Sequence, residues 1–101
     1  MAESASLVIC IELTVPGITA EGVEREVTMP IERQLSGVAG VRRITSSSGE
    51  GLSTVEISFE TTPGPQDKSA VTQAVEKARA QMAVATELRR IAIQACVLQL
   101  P

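Results

Sequence analysis

LVICIELTV, residues Leu7 to Val15, is the stretch on which the fold turns. In an extended chain Leu7, Ile9, Ile11, Leu13 and Val15 share one side, and Val8, Cys10, Glu12 and Thr14 share the other. One side is wholly apolar and the other mixed. That alternation predicts a β-strand with a strongly buried inner face, and Pro16-Gly17 breaks it.

Beyond the break, Thr19 is placed to cap a helix, with Glu21 in the first turn where an acid suits the helix dipole. Val23, Val27, Ile31 and Leu35 repeat every fourth residue, with Pro30 and Gln34 beside them, giving an amphipathic helix of about four turns. Pro30 has no N–H to donate and is expected to kink it. Gly37 and Gly40 supply the exit. Val41 to Ser47 reads as a second strand, but Val41 and Ile44 have opposite parity, which either a bulge or a frayed start would explain. Ser48-Gly49-Glu50-Gly51 reads as a turn. Ser53 to Glu60 is a third strand, with Val55, Ile57 and Phe59 on one side, so the two strands form a hairpin.

After the loop TTPGPQD, a second helix is expected from Gln66 to Val84, with an apolar stripe of Val71, Ala74, Val75, Ala78 and Met82. A fourth strand runs from Arg90 to Gln99, with Ile91, Ile93, Ala95 and Val97 on one side and Ala92, Gln94, Cys96 and Leu98 on the other. The order β-α-β-β-α-β, with right-handed crossovers, predicts a ferredoxin-like α+β sandwich. Both helices lie on one face of an antiparallel sheet of order 4-1-3-2. A chain of 101 residues suits a single domain, 1–101.

Composition narrows the function. Phe59 is the one aromatic residue, and Trp, Tyr and His are absent. Stacking sites for bases, sugars or flat cofactors are therefore disfavoured, as is the usual general base near neutral pH. A net charge of −3, with cations scattered apart from Arg42/Arg43 and Arg89/Arg90, argues against nucleic acid. No run is apolar enough to span a membrane, and the start MAESASLVICIELTV lacks a basic leader region, so a soluble chain without a signal peptide is expected.

Cys10 and Cys96 fall on the outer face of strands expected to be neighbours. They can remain two small apolar thiols or form a cross-strand disulfide if the register allows. Without histidine or a CxxC spacing they make a poor metal site, and no metal or cofactor is expected. Glu12 and Glu56 also share that face and read as solvated positions rather than a catalytic pair. Ser46, Ser47 and Ser48 read as turn formers. Glu21, Glu24, Arg25, Glu32 and Arg33 read as a solvated helix face with a Glu21–Arg25 pair. Val8, Cys10, Ala92, Cys96 and Leu98 give the open sheet face an apolar patch, the expected partner surface for a homodimer.

From Val15 to Glu60 the chain resembles a porter subdomain of resistance-nodulation-division (RND) efflux transporters, most nearly the first, N-terminal one. The resemblance rests on Pro16-Gly17, Ala20-Glu21-x-Val23-Glu24, Pro30-Ile31-Glu32 and the Ser-rich hairpin closing in Val-x-Ile-x-Phe. The second half matches in layout but departs in wording at ELRRIAIQACVLQLP, which suggests an excised, engineered or designed version. The resemblance implies a periplasmic module of an inner-membrane transporter that moves between conformations, contacts neighbouring porter subdomains and belongs to a trimer. The second helix, Asp67 to Val84, would line the trimer's central pore.

The expected function is thus a non-catalytic interaction or scaffold module without transport activity alone. The alternative is a small-molecule-sensing βαββαβ regulatory domain binding its ligand at a dimer interface, which requires a glycine-rich loop where the chain offers Pro16-Gly17. An acyl-phosphate hydrolase of similar topology would need a basic anion-cradling loop, and the loop from Pro16 to Thr19 has no basic residue.

Overall fold

The computed structural model describes residues 5–84 and 87–99. The elements run β1 (Ala5–Thr14), α1 (residues 20–35), β2 (Val41–Gly49), β3 (Leu52–Phe59), α2 (Pro65–Ala80) and β4 (Arg90–Gln99). All pairings are antiparallel, in the order β2-β3-β1-β4. That is the expected 4-1-3-2 sheet read from its other edge. Ile9, Ile11 and Leu13 of β1 and Val55, Ile57 and Phe59 of β3 join both helices' apolar stripes in one core, so the two helices cover one face.

Helix α1 begins as expected. Thr19 is extended at ψ 163, and its hydroxyl accepts from the Gly22 N–H at 3.1 Å. The centre holds the surprise: Ala20–Val23 and Met29–Leu35 are α-helical, but Glu24–Thr28 between them is π-helical, with the Met29 N–H bonded to the Glu24 carbonyl. The wider turn directly precedes Pro30, whose ring would otherwise crowd the preceding turn. It also explains the apolar spacing. In a pure α-helix a four-residue repeat drifts by about 40° per step, and a π turn takes up that drift. Val23, Val27, Ile31 and Leu35 all end fully buried. The proline is therefore met by a change in helix type at the place where a kink was expected.

Helix α2 is shorter than expected, ending at Ala80 rather than Val84. No glycine caps it; Gln81 and Met82 instead turn back onto the carbonyls of Ala78 and Arg79, and Met82 still reaches the core. At its start the Asp67 carboxylate accepts from the Gly64 N–H at 2.8 Å. The parity conflict in β2 resolves as a bulge, since Val41 pairs with Phe59 while Arg43 pairs with Ser58. The hairpin turn is also tighter than expected: Ser48 and Gly49 belong to β2, leaving Glu50 and Gly51 at the tip. Gly51 adopts φ +70, a conformation costly for other residues. Its N–H donates to the Ile18 carbonyl and its carbonyl accepts from the Val15 N–H, both at 2.8 Å. The hairpin tip is thereby clipped to the loop that follows β1.

Candidate interaction surfaces

Among the described residues, the chemistry most relevant to function gathers in three regions. The first joins α1 to the hairpin. Thr28 and Ser53 are fully buried, and the Thr28 hydroxyl lies 2.7 Å from that of Ser53 and 2.8 Å from that of Ser48. The Ser48 hydroxyl donates to the Glu24 carboxylate at 2.6 Å. A hydroxyl has one proton, so the remaining directions follow: Ser53 donates to Thr28, and Thr28 donates to Ser48. Beside this chain the Ser46 hydroxyl donates to the Glu32 carboxylate.

The reading of Ser46 and Ser48 as turn formers, and of Glu24 and Glu32 as merely solvated, is corrected accordingly. These side chains dock the helix onto the strand. A signal was present in the sequence: Glu24, Thr28 and Glu32 repeat at four residues beside the apolar stripe, and Ser46 and Ser48 share a strand face. The Glu21–Arg25 pair is also corrected. The Arg25 guanidinium turns to its neighbour Glu26 at 3.3 Å, an exposed contact of small energetic weight.

The second region is the sheet face away from the helices. The register sets Cys96 opposite Val8 and Cys10 opposite Gln94, so the cysteines are diagonal neighbours, with Cα atoms 6.0 Å apart and sulfurs in contact. Glu56 stands across from Cys10, and Glu12 across from Thr54 on one side and Ala92 on the other. Of the expected patch, Cys10, Ala92 and Cys96 are half-buried and the Leu98 side chain lies outside the described residues. Val8 departs from expectation. At 1% exposure it offers no surface to a partner.

The third region is a groove of about 480 Å³ between α2 and β4. Ile91, Ile93 and Leu88 form an apolar floor packed against the core. Lys68 and Arg79 of α2 stand on one rim and Arg89 and Arg90 on the other. Glu76 is the one acid among the lining residues, 3.8 Å from Arg79. In a chain of net charge −3 this is a local reversal of sign. The Arg89/Arg90 pair is visible in the sequence, but only the packing of α2 beside β4 brings it near Lys68 and Arg79.

Residues 3–97 match the sequence pattern of the AcrB/AcrD/AcrF family. The chain belongs to that family. Multidrug resistance protein MdtC of Edwardsiella ictaluri (strain 93-146) is 40% identical over 52 residues, which make up 52% of this chain and 5% of that relative. The chain thus spans a small part of the length of the relative it matches. The AcrB/AcrD/AcrF family is one of RND transporters, and the module is porter-subdomain-like, as the motifs between Val15 and Glu60 imply. No helix among the described residues is long and apolar enough to cross a membrane.

Proposed function

We propose that this chain is a non-catalytic interaction module of the porter region of an RND multidrug transporter, working on the periplasmic side of the inner membrane. The supporting observation is the family match, which runs over residues 3–97 of a two-layer domain in which, among the described residues, both helices pack on one face of the sheet. Such a module acts through its surfaces, transmitting conformational change to neighbouring subdomains. The open sheet face around Cys10, Ala92 and Cys96 is the contact surface, and in isolation it can pair two copies.

In an oxidising periplasm, Cys10 and Cys96 form a disulfide by exchange with an oxidised dithiol protein. Their two thiols give up two electrons and two protons, and the partner disulfide becomes a dithiol.

The test is a graft. Residues 3–97 replace the corresponding segment of full-length Edwardsiella ictaluri MdtC, and the chimera is scored for assembly and drug resistance in a pump-deficient host. Assembly with retained resistance is expected. A chimera that inserts stably but fails to assemble overturns the reading, as does chemical turnover by the isolated chain.

A further inference from the structure

The two edges of the sheet are built differently. β2 carries a bulge between Val41 and Arg43, with Arg42 and Arg43 exposed, devices that discourage another strand from pairing. β4 has no bulge, and its one charged residue is Arg90 at its start. Its pairing with β1 runs from Arg90 to Gln99 without a register shift. After Arg90 its sequence, IAIQACVLQ, has no charge, proline or glycine. Among the described residues, nothing pairs with its second edge. Beside that edge lies the basic groove.

We propose that the free edge of β4 accepts an extended segment from a partner protein, one that alternates acidic and apolar residues and adds a fifth strand to the sheet. Side chains of an added strand point alternately to the two faces. Those on the helix side enter the groove, where Lys68 and Arg79 favour carboxylates. Those on the open side lie next to Ala92 and Cys96 and should be apolar. A second copy of β4 fits this place poorly, because residues 90–99 include no acid to set against those cations. The inference rests on the interaction-module reading and names the chemistry of one partner.

A fluorescein-labelled peptide, TVEVEVT, tests it by anisotropy with the full 101-residue chain, alongside TVKVKVT and a TVEVEVT N-methylated at every valine and glutamate. Saturable binding of TVEVEVT alone is expected, weakened roughly tenfold or more by Lys68→Glu combined with Arg79→Glu. Circular dichroism of that variant, whose substituted sites are exposed, checks that it remains folded. Equal binding of the lysine or N-methylated peptide overturns the inference. So does no binding, or a chain that pairs through β4 with itself. A chain that ignores the peptide while the MdtC graft still assembles would lose this inference and keep the interaction-module reading.

Discussion

Thr28→Val places a methyl where the Thr28 hydroxyl stands, at nearly constant shape. The site is fully buried, so neither water nor a rearranged surface side chain can replace the lost group. Ser53, also fully buried, donates to that hydroxyl at 2.7 Å and would be left with its own hydroxyl unpaired. An orphaned buried hydroxyl costs about 1–3 kcal/mol. Ser48 is less affected, because it keeps the Glu24 carboxylate as its acceptor. Ser53→Ala should cost less, about 0.5–1.5 kcal/mol, since Thr28 can still donate to Ser48. The double variant removes both ends of the bond and leaves no orphan. It should be no less stable than Thr28→Val alone, giving a coupling of roughly 1 kcal/mol. Urea unfolding followed by far-ultraviolet circular dichroism measures all four species; a chain with one Phe and no Trp or Tyr offers little fluorescence signal. A neutral Thr28→Val, or strictly additive single effects, would refute a buried hydroxyl chain holding α1 to the hairpin.

Reduction of the Cys10–Cys96 pair should lower the unfolding temperature. A closure spanning 86 residues corresponds to roughly 4–5 kcal/mol in the chain-entropy relation, and the Cys10→Ala/Cys96→Ala variant should be insensitive to reductant. Thermal melts with and without dithiothreitol decide this, and identical melts of the parent chain would show two unlinked thiols. Gly22→Ala should destabilise the domain by about 1 kcal/mol despite the better helix propensity of alanine. Its new Cβ would lie 2.9 Å from the Ile18 side chain and 3.2 Å from the Thr19 hydroxyl, displacing the cap. A stabilised variant in a thermal melt would show that Ile18 yields freely.

The parts of the fold that could be read from sequence are those where one local period dominates. β1 and β3 alternate cleanly, and the stripe from Val71 to Met82 keeps its face even where the helix stops short. The β2 bulge left only a parity conflict, because deciding between a bulge and a frayed end requires the partner strand. The π turn was invisible for a related reason: a four-residue apolar repeat fits an amphipathic α-helix nearly as well, and its consequence appears only at Pro30. The hydroxyl junction could have been read from Glu24, Thr28 and Glu32 facing alternate serines, but polar residues on a helix margin are usually solvated. Strand order alone puts the cysteines on neighbouring strands, whereas their diagonal offset depends on a register that residue types alone do not fix. The basic groove gathers residues from 68 to 93, and its charge emerges only once α2 lies beside β4.

Hydrogen–deuterium exchange, comparing the free chain with the same residues grafted into full-length MdtC, probes the module reading most directly. Protection gained in the graft along β4 and across the sheet face around Cys10, with α1's outer charged residues unchanged, is the expected pattern. Equal exchange of β4 and the sheet face in both settings would mean that these surfaces contact nothing in the transporter, and the proposed role would fail.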